Sequence, residues 1–373
     1  MFKQTLGVLA IAAILTLSLG KARAQTSVAP PPPSAPSSVT LYGILDVAAY
    51  DKQLAGESKL KTLQSGSLTT SRFGFTGSEN LGGGLRAVFD MSSFIRVDSG
   101  DYGRTGADPF WARYSYVGLT SDDYGALRLG RISTATFLSE VFFGAFLDST
   151  TLGPYLLHTF VGSGGQPMLT GNGLLDSAWS NSISYSLPAI KSIPGLTASV
   201  QVAASEGTNG RRIGGGLQYR GDVVGATLTF DNVRNGVLAV GAPSAAAATA
   251  ARPLYTANTV QTYQGGAYYD FKIARVWAQH NQTTFKNATP VEIKLVTSAL
   301  SATVPFGLSS FIAEWAHTTD HRTGVQNLSR NTESVGYDYF LSKRTDLYAV
   351  AIHDKVTNLS SGTGWAAGVR HRF

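Results

Sequence analysis

Apolar and polar residues alternate one by one in segment after segment of this chain, and no other feature restricts its fold as much. In residues 196–202, Leu, Ala, Val and Val interleave with Thr, Ser and Gln. This period-two pattern indicates a β-strand with one apolar and one polar face, because successive side chains of a strand point to opposite sides. The pattern recurs at residues 182–187, 226–231, 263–271 and 291–298. The sequence therefore predicts an all-β protein.

The connections between these segments alternate in length. Short connections rich in Gly, Asp and Pro, as turns require, lie at residues 80–84, 121–125, 191–195, 221–225, 305–307 and 342–345. Longer polar stretches lie between them, at residues 51–68, 99–108, 236–258, 281–290, 320–331 and 357–362. Membrane barrels have short periplasmic turns and long outer loops, with strands of about 9–11 residues. Counting the segments predicts sixteen antiparallel strands.

The low charge content and the number of strands indicate a closed barrel around water. Only 14% of the residues are charged, against about 25% in a soluble domain. Every backbone amide in hydrocarbon needs a partner, so strands cross a membrane only as a closed sheet. A barrel of about sixteen strands leaves an aqueous channel. From residue 39 onward the sequence has no apolar run of about 18 residues, the length that a membrane helix needs.

The first 38 residues are expected to be a targeting segment and a spacer. A basic residue precedes an apolar run at residues 6–19, and Ala22-Arg23-Ala24 places small residues where a signal peptidase cuts. We therefore predict a signal peptide at residues 1–24. Residues 25–38 carry four consecutive prolines and one more, which favours an extended spacer. A docking site for a partner is the alternative interpretation of this segment.

Several functional classes find no support in the sequence. Without cysteine there are neither disulfides nor a thiolate zinc site. The formal charge of +6 includes the basic leader and no Lys/Arg run occurs, which argues against nucleic-acid binding. His317 and His321 have helical metal spacing, but their surroundings predict a strand, so no metal site is expected. No Gly-x-Ser-x-Gly motif has the required setting and no Ser/His pair can be assigned, so we predict neither an enzyme nor a cofactor.

Five stretches carry a resemblance to a known family: SSVTLYGILD (37–46), SRFGFTGSENLGGGLRAVF (71–89), YVGLTSDDYGALRLGR (116–131), GYDYFLSKRTDLYA (336–349) and the terminal GVRHRF. With them the chain resembles the Gram-negative general porins, specifically the trimeric type of β-proteobacteria. The resemblance implies a sixteen-stranded antiparallel barrel over residues 39–373, which crosses the outer membrane many times. It also implies a homotrimer and a third outer loop folded into the pore. Outer-membrane lipid and lipopolysaccharide would be partners, and so would the barrel assembly machinery, with Phe373 as the assembly signal.

The expected third loop has an unusual composition. Residues 132–181 contain Glu140, Asp148 and Asp176 but no Lys or Arg, and they are rich in Phe, Leu and Gly. Structureless connections beyond about 15 residues are usually functional. We predict that this one folds into the lumen and faces arginines on the wall. The family's third loop usually carries an acidic, glycine-rich motif such as PEFGG, whereas residues 142–160 read FFGAFLDSTTLGPYLLHTF.

Strand parity predicts which charged side chains point into the lumen. Arg72 alternates with Phe73 and Phe75, and Arg128 lies between two leucines, so both arginines are expected to face inward. Arg131 faces inward only if its strand bends at Gly130. The full predicted set of pore-lining residues is Arg72, Arg86, Asp90, Arg113, Arg128, Arg131, Glu140, Asp148, Arg370 and Arg372.

These residues predict a passive, water-filled channel. Arginines on the wall, with Glu140 and Asp148 on the loop, would set a transverse field across a narrow gap, where low-dielectric walls strengthen electrostatics. Small hydrophilic solutes and ions would diffuse through. Mild anion preference is expected because inward basic groups outnumber acidic ones. The alternative is a substrate-specific outer-membrane channel for small organic acids, selected by the apolar loop.

Overall fold

The computed structural model describes residues 38–106, 108–160, 176–205, 209–240 and 255–373, and most of them form strands. The first nine strands are β1 (Ser38–Lys52), β2 (Leu60–Ser65), β3 (Arg72–Gly82), β4 (Leu85–Phe94), β5 (Tyr114–Ser121), β6 (Gly125–Ser133), β7 (Ala178–Ser186), β8 (Leu196–Ala203) and β9 (Asn209–Arg220). The others are β10 (Val224–Val240), β11 (Tyr255–Asp270), β12 (Arg275–Lys286), β13 (Glu292–Phe306), β14 (Ser309–Arg322), β15 (Leu328–Phe340), β16 (Thr345–Val356) and β17 (Gly362–Arg372). The predicted leader and all but the last residue of the predicted spacer lie outside the described residues.

Two short helices lie in the long connection between β6 and β7, residues 134–177, which we call the third loop. They are α1 (Ala135–Phe142) and α2 (Pro154–Thr159). Among the described residues, no helix has the length and apolar character needed to cross a membrane.

Antiparallel pairing closes the sheet into a barrel. Each strand from β3 to β17 pairs with the next, and β17 returns to pair with β1. The closing register sets Asp46 opposite Arg370. Both β2 and β3 pair with β1, β2 along its second half and β3 along its first half, so the two occupy one position in the wall. The barrel therefore has sixteen strand positions, which confirms the predicted number.

The break between β2 and β3, residues 66–71, forms a turn that we call the inner turn. The carboxylate of Asp46 accepts hydrogen bonds from the backbone N–H groups of Leu68 at 3.1 Å and Thr69 at 2.8 Å. The Tyr348 hydroxyl donates to the other oxygen of the same carboxylate at 2.5 Å. Asp46 is fully buried. A buried carboxylate needs such donors, and the two bonds from Leu68 and Thr69 fix the inner turn to the wall.

The two faces of the wall differ as the alternation predicts. Large apolar side chains cover the outer face; Leu228 is 69% exposed and Val335 is 60% exposed. The inner face carries buried polar side chains such as Gln264, Gln279 and Asn281. An apolar exterior around a sheet with no free edge is the arrangement that a lipid environment requires.

One sector of the inner face departs from the predicted polar lining. There, inward side chains of β14, β16, β17 and β1 pack with Phe146, Leu152 and Leu157 of the third loop in one buried apolar cluster. The wall members of this cluster include Ala48, Tyr50, Ile312, Tyr348, Val350, Ile352 and Ala366. In this sector the third loop, rather than water, covers the inner wall.

Candidate functional site

The third loop begins with a helix whose polar face is turned to the barrel wall. Thr134 caps α1 by accepting a hydrogen bond from the N–H of Phe137 at 3.1 Å, the usual role of a threonine at this position. One turn later, Ser139 donates to Thr227 of β10 at 2.9 Å. Both hydroxyl groups are buried, so this face of α1 is bonded to the wall rather than to water.

Glu140 lies on the same face of α1 and is 2% exposed. Its carboxylate accepts hydrogen bonds from Asn281 of β12 at 3.0 Å and from Thr159 at 2.7 Å. Burial raises the pKa of Glu140 to about 8. The sequence predicts that Glu140 faces the arginines of the wall. It does not, because the polar face of α1 packs against the polar inner wall.

The opposite face of α1 is apolar and borders open space. Phe137 and Val141 lie one turn apart, as do Leu138 and Phe142, and all four line a cavity of about 130 Å³. Phe142 is 40% exposed. A helix in a water-soluble protein normally buries its apolar face and exposes its polar face. In α1 this arrangement is reversed.

Three arginines lie on the other side of this cavity, which we call the constriction cavity. Arg72 forms an ion pair with Asp148 of the third loop. Arg104 pairs with Asp108 at 2.7 Å and with Asp176 at 3.0 Å. The complete lining is Thr70, Arg72, Phe94, Arg104, Arg113, Tyr114, Phe137, Leu138, Val141, Phe142, Asp148, Thr150 and Phe160.

Arg113, the third arginine, makes no ion pair with any residue that the structure describes. Its guanidinium group lies 4.4 Å from the centre of the Tyr114 ring and donates to the Tyr42 hydroxyl at 3.2 Å. That hydroxyl in turn donates to Asp90 at 2.7 Å, so one hydroxyl group links Arg113 to the Asp90 carboxylate. Arg113 consequently presents the least compensated positive charge in the cavity.

The middle of the third loop is fastened to the wall opposite α1. Ser149 donates to the backbone oxygen of Ser67 in the inner turn at 2.6 Å. Lys52 of β1 donates to the backbone oxygen of Thr151 at 2.9 Å. With the ion pair of Asp148, these bonds hold the loop across the lumen and set the width of the constriction cavity.

The second helix of the loop is bonded to β14 and β15. The N–H of Tyr155 donates to Glu314 at 2.7 Å. The fully buried ring of His158 lies 2.8 Å from the Thr318 hydroxyl and 2.6 Å from the Thr332 hydroxyl. Burial holds the pKa of His158 well below its usual value, so the ring is neutral at ordinary pH. α2 is therefore a fixed part of the wall contact.

Two of the predicted arginines lie toward the end of the barrel with the short turns. Arg128 lines a separate open cavity of about 230 Å³, with its guanidinium group 5.7 Å from the Tyr116 ring. Arg86 pairs with Asp122 at 2.8 Å in an exposed position. Neither lines the constriction cavity.

Arg370 and Arg372 belong to an ionic network on the inner wall. Arg370 is 4% exposed and pairs with Asp346 and Asp338, each at 2.9 Å. Arg372 pairs with Asp346 at 2.6 Å. Arg370 also donates to Thr69 of the inner turn at 2.7 Å. Both arginines therefore contact the wall, and Arg370 also contacts the inner turn. Neither arginine lines the constriction cavity.

Arg131 lies behind the constriction cavity. β6 shifts register between Gly130 and Ile132, and Gly130 has a φ of 135°, so the strand is irregular where the prediction requires a bend. Arg131 pairs with Asp176, which also pairs with Arg104. Burial raises the pKa of Asp176, but the two arginines outweigh it and hold that pKa below its usual value. Arg131 therefore positions Arg104 through a shared carboxylate.

Sequence reasoning missed Arg104 and the helix α1. Arg104 lies in a polar stretch without alternation, so strand parity says nothing about its direction. A signal for the helix does exist: Thr134 is a good N-cap residue, and apolar residues recur four positions apart after it. The prediction for this stretch, a loop folded into the lumen, did not include this helix.

The terminal residue completes the closure of the sheet. Phe373 and Gly43 of β1 exchange two backbone hydrogen bonds of 3.0 Å. The Phe373 ring lies over Gly43, where a Cβ atom would collide with it. Only glycine admits the ring at this distance, and the role of Phe373 as an assembly signal stays a prediction.

No group of three or more His, Asp or Glu side chains is placed to hold a metal ion anywhere in the described ranges. His317 and His321 both lie on β14, where four residues span about 13 Å of extended chain. The two side chains therefore lie too far apart to share a metal ion as they could on a helix.

A family model described as Gram-negative porin matches residues 10–359. Among curated proteins, outer membrane porin protein 32 of Delftia acidovorans is 31% identical over 362 residues, with 91% of this chain and 95% of that protein covered. An outer membrane porin protein of Bordetella pertussis is 26% identical over 417 residues, with 97% and 98% covered.

Solved structures agree with these matches. The anion-selective porin from Comamonas acidovorans superimposes with a TM-score of 0.73 at 26% identity, covering 91% of this chain and all of that one (100%). An outer membrane protein of Vibrio cholerae superimposes with a TM-score of 0.68 at 15% identity, covering 90% and 99%. The second likeness concerns the fold alone.

Proposed function

This chain belongs to the Gram-negative porin family, and from that premise we propose that its constriction cavity makes it a mildly anion-selective channel. As a porin it is a sixteen-stranded barrel of the outer membrane through which small hydrophilic solutes diffuse passively. The proposal adds that the solutes pass between α1 and the arginine side of the cavity. No catalytic activity is proposed for it.

The charges around the cavity support the sign of this preference. Arg72, Arg104 and Arg113 border it together with one carboxylate, that of Asp148. Asp148, Asp108 and Asp176 compensate much of the charge of Arg72 and Arg104 through their ion pairs. Arg113 has no direct ion pair with any residue that the structure describes and reaches Asp90 only through the Tyr42 hydroxyl. It is the one arginine of the cavity lining placed in this way, so we expect a mild rather than a strong preference. This guanidinium group without a direct ion pair is the observation on which the proposal depends.

The charge is placed where it acts most strongly on a passing ion. The third loop narrows the lumen at this level, so a solute must approach Arg113 closely, and low-dielectric walls strengthen the interaction. The porin from Comamonas acidovorans, whose structure this barrel resembles, is anion-selective, and this supports the same sign here. The apolar face of α1 favours the alternative, a channel specific for small organic acids.

Selectivity is tested by the zero-current potential of the purified protein in a planar bilayer under a KCl gradient. We expect chloride to be favoured, and Arg113→Gln to lower the chloride-to-potassium permeability ratio by about two- to fivefold, the effect of one unit charge a few ångströms from an ion in water. Arg344→Gln is the matched control, because it removes the same charge from an exposed short turn. Cation preference in the unaltered protein, or equal effects of the two substitutions, would contradict the proposal.

We propose the same assembly and processing that the sequence predicts. The mature chain would begin after Ala24, form a homotrimer and contact lipid and lipopolysaccharide through its apolar outer face. Phe373, paired with Gly43 at the closing seam, would serve as the signal for the barrel assembly machinery. Mass spectrometry of the mature protein and crosslinking in the membrane test the first two statements.

A further inference from the structure

The constriction cavity has two chemically different sides, and both border the same small space. One side carries the guanidinium groups of Arg72, Arg104 and Arg113. The other carries the apolar face of α1, with Phe137, Leu138, Val141 and Phe142, and Phe160 beside it. A channel that only passed hydrated ions would need the first side and not the second.

The apolar side is held open to the cavity by the contacts behind it. Because Ser139 and Glu140 are bonded to the barrel wall, α1 cannot turn its apolar face away from the lumen without breaking buried hydrogen bonds. The Phe137 ring packs edge-on against Phe160 with 5.0 Å between the ring centres. An apolar face exposed to water is unfavourable, and a ligand that covers it would gain the corresponding free energy.

The basic side is shaped to bind a carboxylate in a fixed orientation. Arg113 lies over the Tyr114 ring, and Arg104 lies 4.6 Å from the centre of the Phe94 ring. Stacking holds a guanidinium plane in place. Nη1 of Arg113 donates to Tyr42, whereas its Nε and Nη2 donate to no residue that the structure describes, and two such donors match the two oxygens of a carboxylate. Arg113 is again the better candidate, because Arg104 already pairs with Asp108 and Asp176.

The size of the cavity limits the rest of the ligand. Its volume is about 130 Å³, close to the roughly 150 Å³ of an apolar cavity that holds one benzene molecule. One flat ring therefore fits against the apolar face of α1 while a carboxylate on that ring reaches the arginines.

From the two sides and the volume together we propose that the constriction cavity is a binding site for small amphiphilic carboxylates, with an aromatic monocarboxylate as the preferred class. Arg113 binds the carboxylate, and Leu138 and Val141 contact the ring. The inference deepens the proposed function and depends on it, since the anion must first enter the channel. In this proposal the channel binds such anions as well as letting them pass.

The test uses the complete mature protein in a planar bilayer with benzoate and acetate as probes. We expect benzoate to block the chloride current reversibly and saturably, at about a tenfold lower concentration than acetate, since covering a ring contributes more than 1.4 kcal/mol. In the double substitution Leu138→Gln with Val141→Thr, the difference between the two probes should disappear. The block is expressed as a fraction of each variant's own chloride current, so that a change in conductance is not counted as a change in binding.

Leu147→Gln is the matched control, because Leu147 is an exposed leucine of the same loop, 46% exposed, outside the cavity lining. It should leave the block by benzoate unchanged. Equal block by benzoate and acetate in the unaltered protein would overturn the inference while leaving anion selectivity intact. So would a benzoate block that survives the double substitution. If the unaltered protein shows no preference for chloride, that result would instead count against the proposed function.

Discussion

Glu140 is the residue whose ionisation is most directly tied to the position of the third loop. Burial raises the pKa of its carboxyl group from 4.5 to about 8, so the contact between α1 and the wall favours the protonated form. A raised pKa contributes stability that is complete below the unfolded value and is lost as pH rises through the folded value. The docking of α1 should therefore weaken between about pH 5 and pH 9.

This expectation is measured as the pH dependence of single-channel current noise. Noise from loop movement should increase as the pH rises toward about 8, the pKa of Glu140, and level off above it. Glu140→Gln should remove that increase, because an amide of the same shape can accept from Asn281 and stays neutral. Asp231 is a buried carboxyl group whose charge acts on Glu140, so an unchanged pH profile in Glu140→Gln would assign the effect to Asp231 and contradict the prediction.

At the scale of elements, the third loop is held by packing as much as by hydrogen bonds. Leu152 is fully buried in the apolar cluster that the loop shares with the inner wall. Leu152→Ala should cost about 2–5 kcal/mol, the usual range for a buried leucine, and the cost should fall on the loop contact because the barrel ladder is untouched. We expect higher conductance and faster protease cleavage within the loop.

Leu147→Ala provides the comparison, since it changes the same residue type in the same loop at an exposed position. It should alter stability by no more than about 0.5 kcal/mol and leave conductance unchanged. If both substitutions raise the conductance equally, the loop is held by its hydrogen bonds alone and the apolar cluster has no part in setting the width of the pore.

Strands and helices of this chain differ in how far the sequence predicts them. The strands follow from alternation, because a pleated sheet between lipid and water imposes a period of two on every wall segment. α1 breaks the corresponding rule for helices, since its polar residues Ser139 and Glu140 are buried against a polar wall. Polarity predicts a loop at residues 281–290, yet β12 continues to Lys286, because polar inward residues are normal in this wall.

The residues around the constriction cavity also differ in how far the sequence predicts them. Arg72 and Arg113 can be found from the sequence because Arg72 begins β3 and Arg113 directly precedes β5, where strand parity predicts the direction of a side chain. Arg104 and Asp176 cannot be placed in this way, because their positions depend on ion pairs between loops that are distant in the chain. No local pattern encodes a contact of that kind, and a folded structure is needed to bring the two together.

At the scale of the whole molecule, the apolar outer face is what ties the barrel to a membrane. Val335 lies in the middle of β15 on that face and is 60% exposed. Val335→Lys should destabilise the barrel in lipid vesicles by about 2–4 kcal/mol, the cost of a charge at the lipid-facing midplane. Leu341→Lys is the control, since Leu341 is similarly exposed at 57% but lies in a short turn at the end of the barrel.

The pair of substitutions separates a lipid-facing wall from a merely apolar one. Leu341→Lys places its charge where headgroups and water solvate it, so folding yield and denaturant midpoint in vesicles should stay unchanged. In detergent micelles, which deform around a charge, the difference between the two variants should shrink. Equal stability of both variants in vesicles would mean that Val335 does not face lipid, and that another part of this face carries the contact with the membrane.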